Sequence, residues 1–174
     1  MRVVGVVRAF EQTLVAPLSA RTCVAYRSRV SANLARYSSG TARTSVQSPK
    51  AETLLIAPFL LDRGAEGLVI VDGEHARFDV KAIKLTAADA ERKLSFLARH
   101  GYSSQGQSSG SFAEVVIEPG MTIAVSGVMM RDVALAPATS EIAFREGPPP
   151  TIRLTGNHEH PLVIGESKVV LALT

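Results

Sequence analysis

The chain has 174 residues, of which 46% are hydrophobic and 5% aromatic, so its composition excludes a disordered chain and fits one domain over residues 1–174 with an aliphatic core. The formal net charge of +3 is uneven, because residues 1–50 hold eight basic residues against Glu11 alone, whereas the remainder holds eleven basic and fifteen acidic residues. One cysteine excludes an intramolecular disulfide and a cysteine-rich zinc site, and the lack of a signal peptide or of the ~20 apolar residues of a membrane helix predicts a cytoplasmic protein.

The first thirty residues predict a long β-hairpin that opens the fold. Val3–Phe10 is rich in β-branched residues, which favour strands, and Gly5 within it indicates a bulge or a close backbone approach. Thr22–Val30 mixes small or apolar residues with arginines, as expected for a strand with one solvated face. Pro17 lacks the N–H that a central strand needs, so Thr13–Ser19 is predicted to be a connector.

Strand and turn signals alternate through the middle of the chain. Glu52–Leu61 predicts one strand, Asp62–Gly64 the turn after it, and Gly67–Val71 the next strand. Asp72-Gly73 is a strong hairpin signal and leads into a further predicted strand, Ala76–Leu85.

One helix is predicted, over Ala87–His100. Thr86 is a suitable N-cap, and Gly101 suits the position just after the helix C-terminus. The predicted apolar stripe recurs at helical spacing and consists of Ala87, Ala90, Leu94 and Leu97.

The C-terminal part predicts strands again. Phe112–Ile117 and Met121–Arg131 flank Glu118-Pro119-Gly120 and predict a second hairpin. Three shorter apolar runs predict further strands, at Thr151–Thr155, Leu162–Ile164 and Lys168–Leu173. Polar or proline-rich composition predicts loops at Ser31–Lys50, Ser103–Ser111 and Ala134–Pro150.

The order of these elements predicts a mainly β fold. Strands followed by a lone helix and then more strands lack the βαβα alternation of a parallel sheet. We therefore expect an antiparallel, OB-like, partly closed barrel with one inserted α-helix at about residues 87–100, because OB-type barrels place a helix between their third and fourth strands.

Four blocks of the sequence resemble the GIDE-type domain, the "beside a membrane" domain of the mitochondrial and chloroplast E3 ubiquitin ligase family. The most specific block is Pro17–Cys23 followed by Tyr26-Arg27, where the family has a PLS…C..Y-R pattern. The other blocks are the opening strand around Gly5–Val7, the turn in Phe59–Gly64, and the Pro-Gly turn and strand in Glu118–Gly127.

The resemblance implies a sensor-like or partner-binding role. The family's ligases also carry two membrane helices and a RING with Cys/His zinc ligands, and this sequence has neither, so we expect no ligase activity. The resulting expectation is a non-enzymatic binding or regulatory module without a cofactor. Its expected partner is a protein, by family analogy in a membrane-associated complex.

The predicted contact surface combines the loops with Arg21, Cys23, Tyr26, Arg27 and Arg29. Cys23 is either a partly exposed thiol activated by the neighbouring arginines or a small buried residue in a packed strand. We favour the buried thiol, because no histidine lies near it in the sequence to act as a base.

His158 and His160 are weak candidates for a metal site. In a strand these two side chains would share a face, and a third ligand would come from His75, His100 or an acid. The alternative is a polar turn before Pro161, which we favour because two histidines at this spacing are a weak signal.

Two other functions stay open from the sequence. An OB-like nucleic-acid-binding domain would use the basic excess of residues 1–50, although those arginines are scattered and lack interleaved aromatic residues. A metal-dependent hydrolase would use His158 and His160.

Overall fold

The computed structural model describes residues 1–32, 50–80, 83–84, 90–101, 110–131 and 152–166. Within these ranges the chain is mainly β, as predicted, with one α-helix and a 3-10 turn at Gly64–Glu66. No helix in the described ranges combines the length and the apolar run needed to cross a membrane.

The elements are β1 (Arg2–Ala9), β2 (Leu14–Val15), β3 (Thr22–Cys23), β4 (Ala25–Ala32), β5 (Lys50–Ile56), β6 (Phe59–Asp62), β7 (Leu68–Val71), β8 (Ala76–Asp79), β9 (Ile83–Lys84), α1 (Ala90–Arg99), β10 (Gly110–Ile117), β11 (Thr122–Ser126), β12 (Val128–Arg131), β13 (Ile152–Thr155) and β14 (Leu162–Glu166).

Some predicted segments cannot be compared with the structure. The predicted strand Lys168–Leu173 and the predicted loop Ala134–Pro150 lie outside the described residues. The same holds for residues 86–89 at the start of the predicted helix, and for the middles of the other two predicted loops, residues 33–49 and 103–109.

The strands form two large sheets and one short pair. The eight-stranded sheet has the order β12-β13-β7-β6-β1-β11-β14-β8, the four-stranded sheet has the order β5-β4-β10-β9, and β2 pairs with β3. Neither sheet closes into a barrel within the described ranges. The pairs β7–β13 and β8–β14 are parallel, so the prediction of wholly antiparallel pairing is wrong there. Parallel partners are joined by long crossovers, and local sequence patterns carry no signal for pairing across them.

The predicted opening hairpin is wrong. β1 lies in the eight-stranded sheet between β6 and β11, whereas β4 lies in the four-stranded sheet between β5 and β10. The close backbone approach predicted at Gly5 is confirmed, since a Cβ there would lie 2.8 Å from Asp62 O. A glycine at this position therefore lets β1 lie directly against β6.

Two other predicted hairpins are also wrong: in one the two strands lie apart within the eight-stranded sheet, and in the other the chain changes sheets. β7 and β8 do not pair across Asp72-Gly73, and β10 and β11 lie in different sheets on either side of Glu118–Gly120. The predicted strand Glu52–Leu61 breaks at Ala57-Pro58 into β5 and β6, one in each sheet. The turn predicted at Asp62–Gly64 is confirmed: it joins the antiparallel pair β6–β7, and Gly64 N–H donates to Asp62 Oδ1 (2.8 Å).

The main core lies between the inner faces of the two large sheets. In β1, Val3 and Val7 are 2% and 1% exposed, whereas Val4 on the other face is 41% exposed. The same cluster contains residues from both sheets, including Phe59, Leu61, Val125 and Ile164 from the larger and Ala25, Val115 and Ile117 from the smaller. The aliphatic core expected from the composition is therefore formed by packing one sheet on the other.

α1 packs on the outer face of the four-stranded sheet. Phe96 and Leu97 are buried there against one residue from each of three strands, Val30, Ala51 and Phe112. Of the predicted stripe, Leu97 is buried, but Ala90 is exposed and Leu94 is 46% exposed, so the prediction is correct only at Leu97 and the buried face is centred on Phe96 and Leu97. Gly101 has a φ of 76°, which confirms its predicted position after the helix C-terminus.

Candidate functional site

Pro17, Leu18 and Ser19 form a turn, here called the PLS turn, at the tip of the β2–β3 hairpin. Ala20 N–H donates to Ala16 O (2.9 Å), and Ala16 N–H donates to Arg21 O (3.0 Å). Ala20 has a left-handed φ of 58°, which turns the chain sharply back toward β3. The backbone of the hairpin therefore fixes the shape of the PLS turn.

A buried carboxylate holds the PLS turn on the four-stranded sheet. Glu114 on β10 is 2% exposed and lies opposite Ser28 of β4. Its Oε1 accepts hydrogen bonds from Ser28 Oγ (2.6 Å) and Leu18 N–H (3.1 Å), and its Oε2 accepts one from Ser19 N–H (3.0 Å). Three donors compensate the burial of the charge, so Glu114 anchors the turn. We call this arrangement the Glu114 anchor.

The sequence contained one overlooked signal for this anchor. Phe112, Glu114 and Val116 alternate along β10 and share the face that carries α1 and the PLS turn. An acidic residue between two apolar residues on the covered face of a strand indicates a carboxylate with specific partners, because an unpaired buried charge is very costly.

Cys23 is a buried thiol, as favoured from the sequence. It is 0% exposed, packs with Ala16 and Tyr26, and its Sγ lies 3.7 Å from Leu14 O. Burial, followed by the negative charge of Glu114, raises the pKa of the Cys23 thiol to about 11. The thiol is therefore protonated at neutral pH and is a poor nucleophile. Burial also raises the pKa of the neighbouring Tyr26, which is 9% exposed.

The three candidate arginines do not form one surface. Arg21 makes a two-pronged ion pair with Glu118, with Nε donating to Oε1 at 2.8 Å. Arg27 donates from Nη1 to Phe78 O (3.4 Å), and its guanidinium lies 5.9 Å from the centre of that ring. Arg29 is exposed on the same side of β4 as Arg27. The structure thus brings Arg27 and Arg29 to one side, whereas Arg21 is held beyond the end of β10.

The turn interpretation of His158 and His160 is confirmed. Asn157 N–H donates to His160 O (3.0 Å), and His160 N–H donates to Asn157 Oδ1 (2.6 Å), which closes a turn before β14. The ring of His158 contacts His75, with centroids 4.2 Å apart, whereas His100 lies elsewhere and meets Thr53 Oγ1. In the described part of the chain, no group of three or more His, Cys, Asp or Glu side chains is arranged to hold a metal ion.

A cleft of about 290 Å³ lies between α1 and the PLS turn, and we call it the α1 cleft. Its lining is mostly polar or charged and consists of Pro17, Glu91, Arg92, Ser95, Phe96 and Arg99. Arg92, Ser95 and Arg99 are spaced three and four residues apart, so they follow one face of the helix. This arginine-containing face was not predicted, although the spacing of Arg92, Ser95 and Arg99 is visible in the sequence.

The positive charge of Arg99 affects the pKa of Tyr26, a buried side chain on the covered face of the four-stranded sheet. The pKa of Tyr26, raised mainly by burial, is partly lowered again by Arg99. Arg99 therefore acts on a side chain of the covered sheet face although it is itself exposed. Two arginines, Arg92 and Arg99, stand against Glu91 in the lining, so the cleft carries a net positive charge suited to hydrogen bonding and ion pairing with an anionic group.

A scan against protein-family models and searches of curated proteins and of solved structures found no match. The functional interpretation therefore depends on the geometry of the described residues.

Proposed function

We propose that this chain is a non-enzymatic binding module that recognises an acidic segment of a protein partner through the α1 cleft. The observation that supports this proposal is that the face of α1 bearing Arg92 and Arg99 lies beside the PLS turn, which Glu114 holds in place. As part of the proposal, the domain is an OB-like one related to the GIDE-type domain, as expected from the sequence. By that resemblance, the partner would belong to a membrane-associated complex.

The chemistry of the lining supports a carboxylate-bearing ligand. A guanidinium presents a planar fork of donors that matches a carboxylate, and such charge-assisted bonds are stronger than neutral ones. Arg92 and Arg99 line the same cleft, with Ser95 between them as a neutral donor and acceptor. Pro17 and Phe96 add apolar surface for the aliphatic part of an acidic side chain.

The size and support of the cleft favour a peptide segment. Sites that enclose drug-sized molecules measure ~300–1,000 Å³, and this cleft is slightly smaller, with room for one or two side chains. The Glu114 anchor and the packing of Phe96 and Leu97 fix its two walls relative to each other. A preformed site costs little conformational entropy on binding.

The aromatic residues favour a protein over a nucleic acid as the partner. Single-stranded nucleic acids bind by stacking bases on exposed aromatic rings. Among the described residues, the aromatic side chains of Tyr26, Phe59, Phe78, Phe96 and Phe112 are all buried, and Phe10 is half-buried.

The test is a selection of peptides from a random library on the immobilised domain, followed by affinity measurement with the selected, fluorescently labelled peptide. We expect enrichment of Asp and Glu. Arg99→Glu should weaken binding by about tenfold to 100-fold, since a charge-assisted hydrogen bond is worth ~1.5–3 kcal/mol. The matched control is Arg29→Glu, an equal charge change at an exposed arginine on the opposite face of the four-stranded sheet.

Equal losses in Arg99→Glu and Arg29→Glu would show that overall charge, and not the cleft, drives binding. Enrichment of apolar or basic peptides that are insensitive to Arg99→Glu would overturn the proposal. Retention of single-stranded DNA that is lost in Arg99→Glu would support the nucleic-acid alternative instead.

A further inference from the structure

Two turns meet at the end of the parallel pair β8–β14. The first precedes β8, where Ala76 N–H donates to Gly73 O (3.3 Å) and His75 has a left-handed φ of 51°. The second is the Asn157–His160 turn before β14, closed by the backbone and side chain of Asn157. Each turn presents an exposed histidine, His75 in the first and His158 in the second.

The backbone fixes the distance between these two turns. Ala76 and Leu162 are register partners in the parallel pair that follows them. At Gly156, a Cβ would lie 2.4 Å from Leu162 N and 2.7 Å from Glu74 O, so the second turn lies directly against the first. His75 and His158 are thus presented from two turns whose backbones pack directly against each other.

The two imidazoles are already in contact. Their centroids are 4.2 Å apart and their planes are tilted by 52°. Metal–nitrogen distances of ~2.0–2.1 Å place two imidazole rings bound to one ion with their centroids roughly 4.5 Å apart at a right angle and roughly 5.2 Å apart at the tetrahedral angle. The observed separation of 4.2 Å is slightly shorter, so a shared ion requires the two rings to move apart by less than about 1 Å and to turn one nitrogen each toward it.

The left-handed conformation of His75 adds a second observation. A non-glycine residue in this region is uncommon, although histidine adopts it more readily than most residues, and residues held there are concentrated at functional sites. Here that residue is the one whose ring meets His158 across the two turns.

We propose that His75 and His158 form a binding site for a divalent transition-metal ion of the class that prefers imidazole nitrogen, such as Cu²⁺, Ni²⁺ or Zn²⁺. Two imidazoles supply the protein ligands, and water fills the remaining positions. Glu74, Glu159 and His160 neighbour the pair in sequence, but among the described residues no third His, Cys, Asp or Glu side chain is arranged with the pair to hold an ion. The site is independent of the α1 cleft. Its affinity follows the order in which Cu²⁺ binds more tightly than Ni²⁺ or Zn²⁺.

The test is calorimetric titration of the untagged chain with each metal ion, on the wild type and three variants. His75→Asn and His158→Asn remove one ligand each, and asparagine tolerates the left-handed conformation at position 75. His160→Asn is the matched control, because His160 serves the turn through its backbone N–H and C=O. Circular dichroism and thermal unfolding without metal establish that each variant is folded.

We expect one ion bound per wild-type chain. Affinity should fall at least about tenfold in His75→Asn and in His158→Asn, since even the loss of an outer-shell partner costs ~10–100-fold. His160→Asn should keep wild-type affinity. Sub-stoichiometric Cu²⁺ should broaden the NMR signals of His75 and His158 before those of His100.

Three results would overturn the proposal. They are no measurable binding to the wild type, unchanged affinity in either His75→Asn or His158→Asn, and an equal loss in His160→Asn. The last result would indicate non-specific binding to a histidine-rich surface.

Discussion

Replacing Glu114 with Gln tests the anchor beneath the candidate site. The carboxylate accepts three hydrogen bonds, from Leu18 N–H, Ser19 N–H and Ser28 Oγ. An amide retains one oxygen, so in either orientation its NH2 group faces the N–H of Leu18 or of Ser19. A lost bond to a charged acceptor is worth ~1.5–3 kcal/mol, and an unsatisfied buried donor costs ~1–3 kcal/mol. Because these contributions overlap, we expect the free energy of unfolding to fall by about 2–4 kcal/mol.

The assay is urea unfolding at neutral pH followed by circular dichroism, with thermal unfolding as a second measure. A domain of this size loses ~2–4 °C in Tm per kcal/mol, so Tm should fall by about 5–15 °C. The matched control is Glu118→Gln, the same chemical change in the partly exposed ion pair with Arg21, which should cost less than ~1 kcal/mol. Equal, small losses in the two variants would refute the role of Glu114 as an anchor.

Three further predictions concern the buried parts of the fold. Gly5→Ala places a Cβ 2.8 Å from Asp62 O, so urea unfolding should show a loss of ~1–3 kcal/mol from overpacking, and a loss below ~0.5 kcal/mol would contradict the close approach of β1 to β6. Cys23 should react with a thiol reagent at pH 7 far more slowly in the native protein than in urea, and equal rates would contradict its burial. The thiol ionises near pH 9.0 in the unfolded chain but at about 11 in the folded chain, so its contribution to the free energy of unfolding should be lost as pH rises from 9.0 to about 11. Cys23→Ala should reduce this loss of stability.

Local features of the fold were predictable because they depend on neighbouring residues. The β-branched runs identified most strands, and the position of Gly101 identified the end of α1. Long-range pairing was not predictable from the same signals. Asp72-Gly73 has the composition of a hairpin, yet β8 pairs with β14, which lies more than 80 residues further along the chain. The bend at Ala57-Pro58, where Ala57 N–H donates to Val24 O, sends consecutive strands into different sheets.

The candidate site was predicted only in part, for a related reason. The PLS block was the most specific part of the sequence, and the structure shows that Leu18 and Ser19 hold Glu114 from 95 or more residues away. The phase of α1 was misjudged because Leu94 and Leu97, three residues apart, fit helical spacing, whereas the buried Phe96 and Leu97 are consecutive and give no such pattern. Only the position of the four-stranded sheet decides which face is covered, and the arginine-lined face follows from that choice.

Charge reversal at Arg99, combined with a compensating change in the peptide, tests the proposed binding function most directly. The affinity of Arg99→Glu is measured for the selected acidic peptide and for the same peptide with its required acidic residue changed to Lys. If the α1 cleft binds that residue, the changed peptide should recover at least about tenfold of the lost affinity, which corresponds to ~1.4 kcal/mol, and should bind the wild type poorly. No recovery with the changed peptide, together with an equal loss of acidic-peptide binding in Arg29→Glu, would contradict recognition in the cleft.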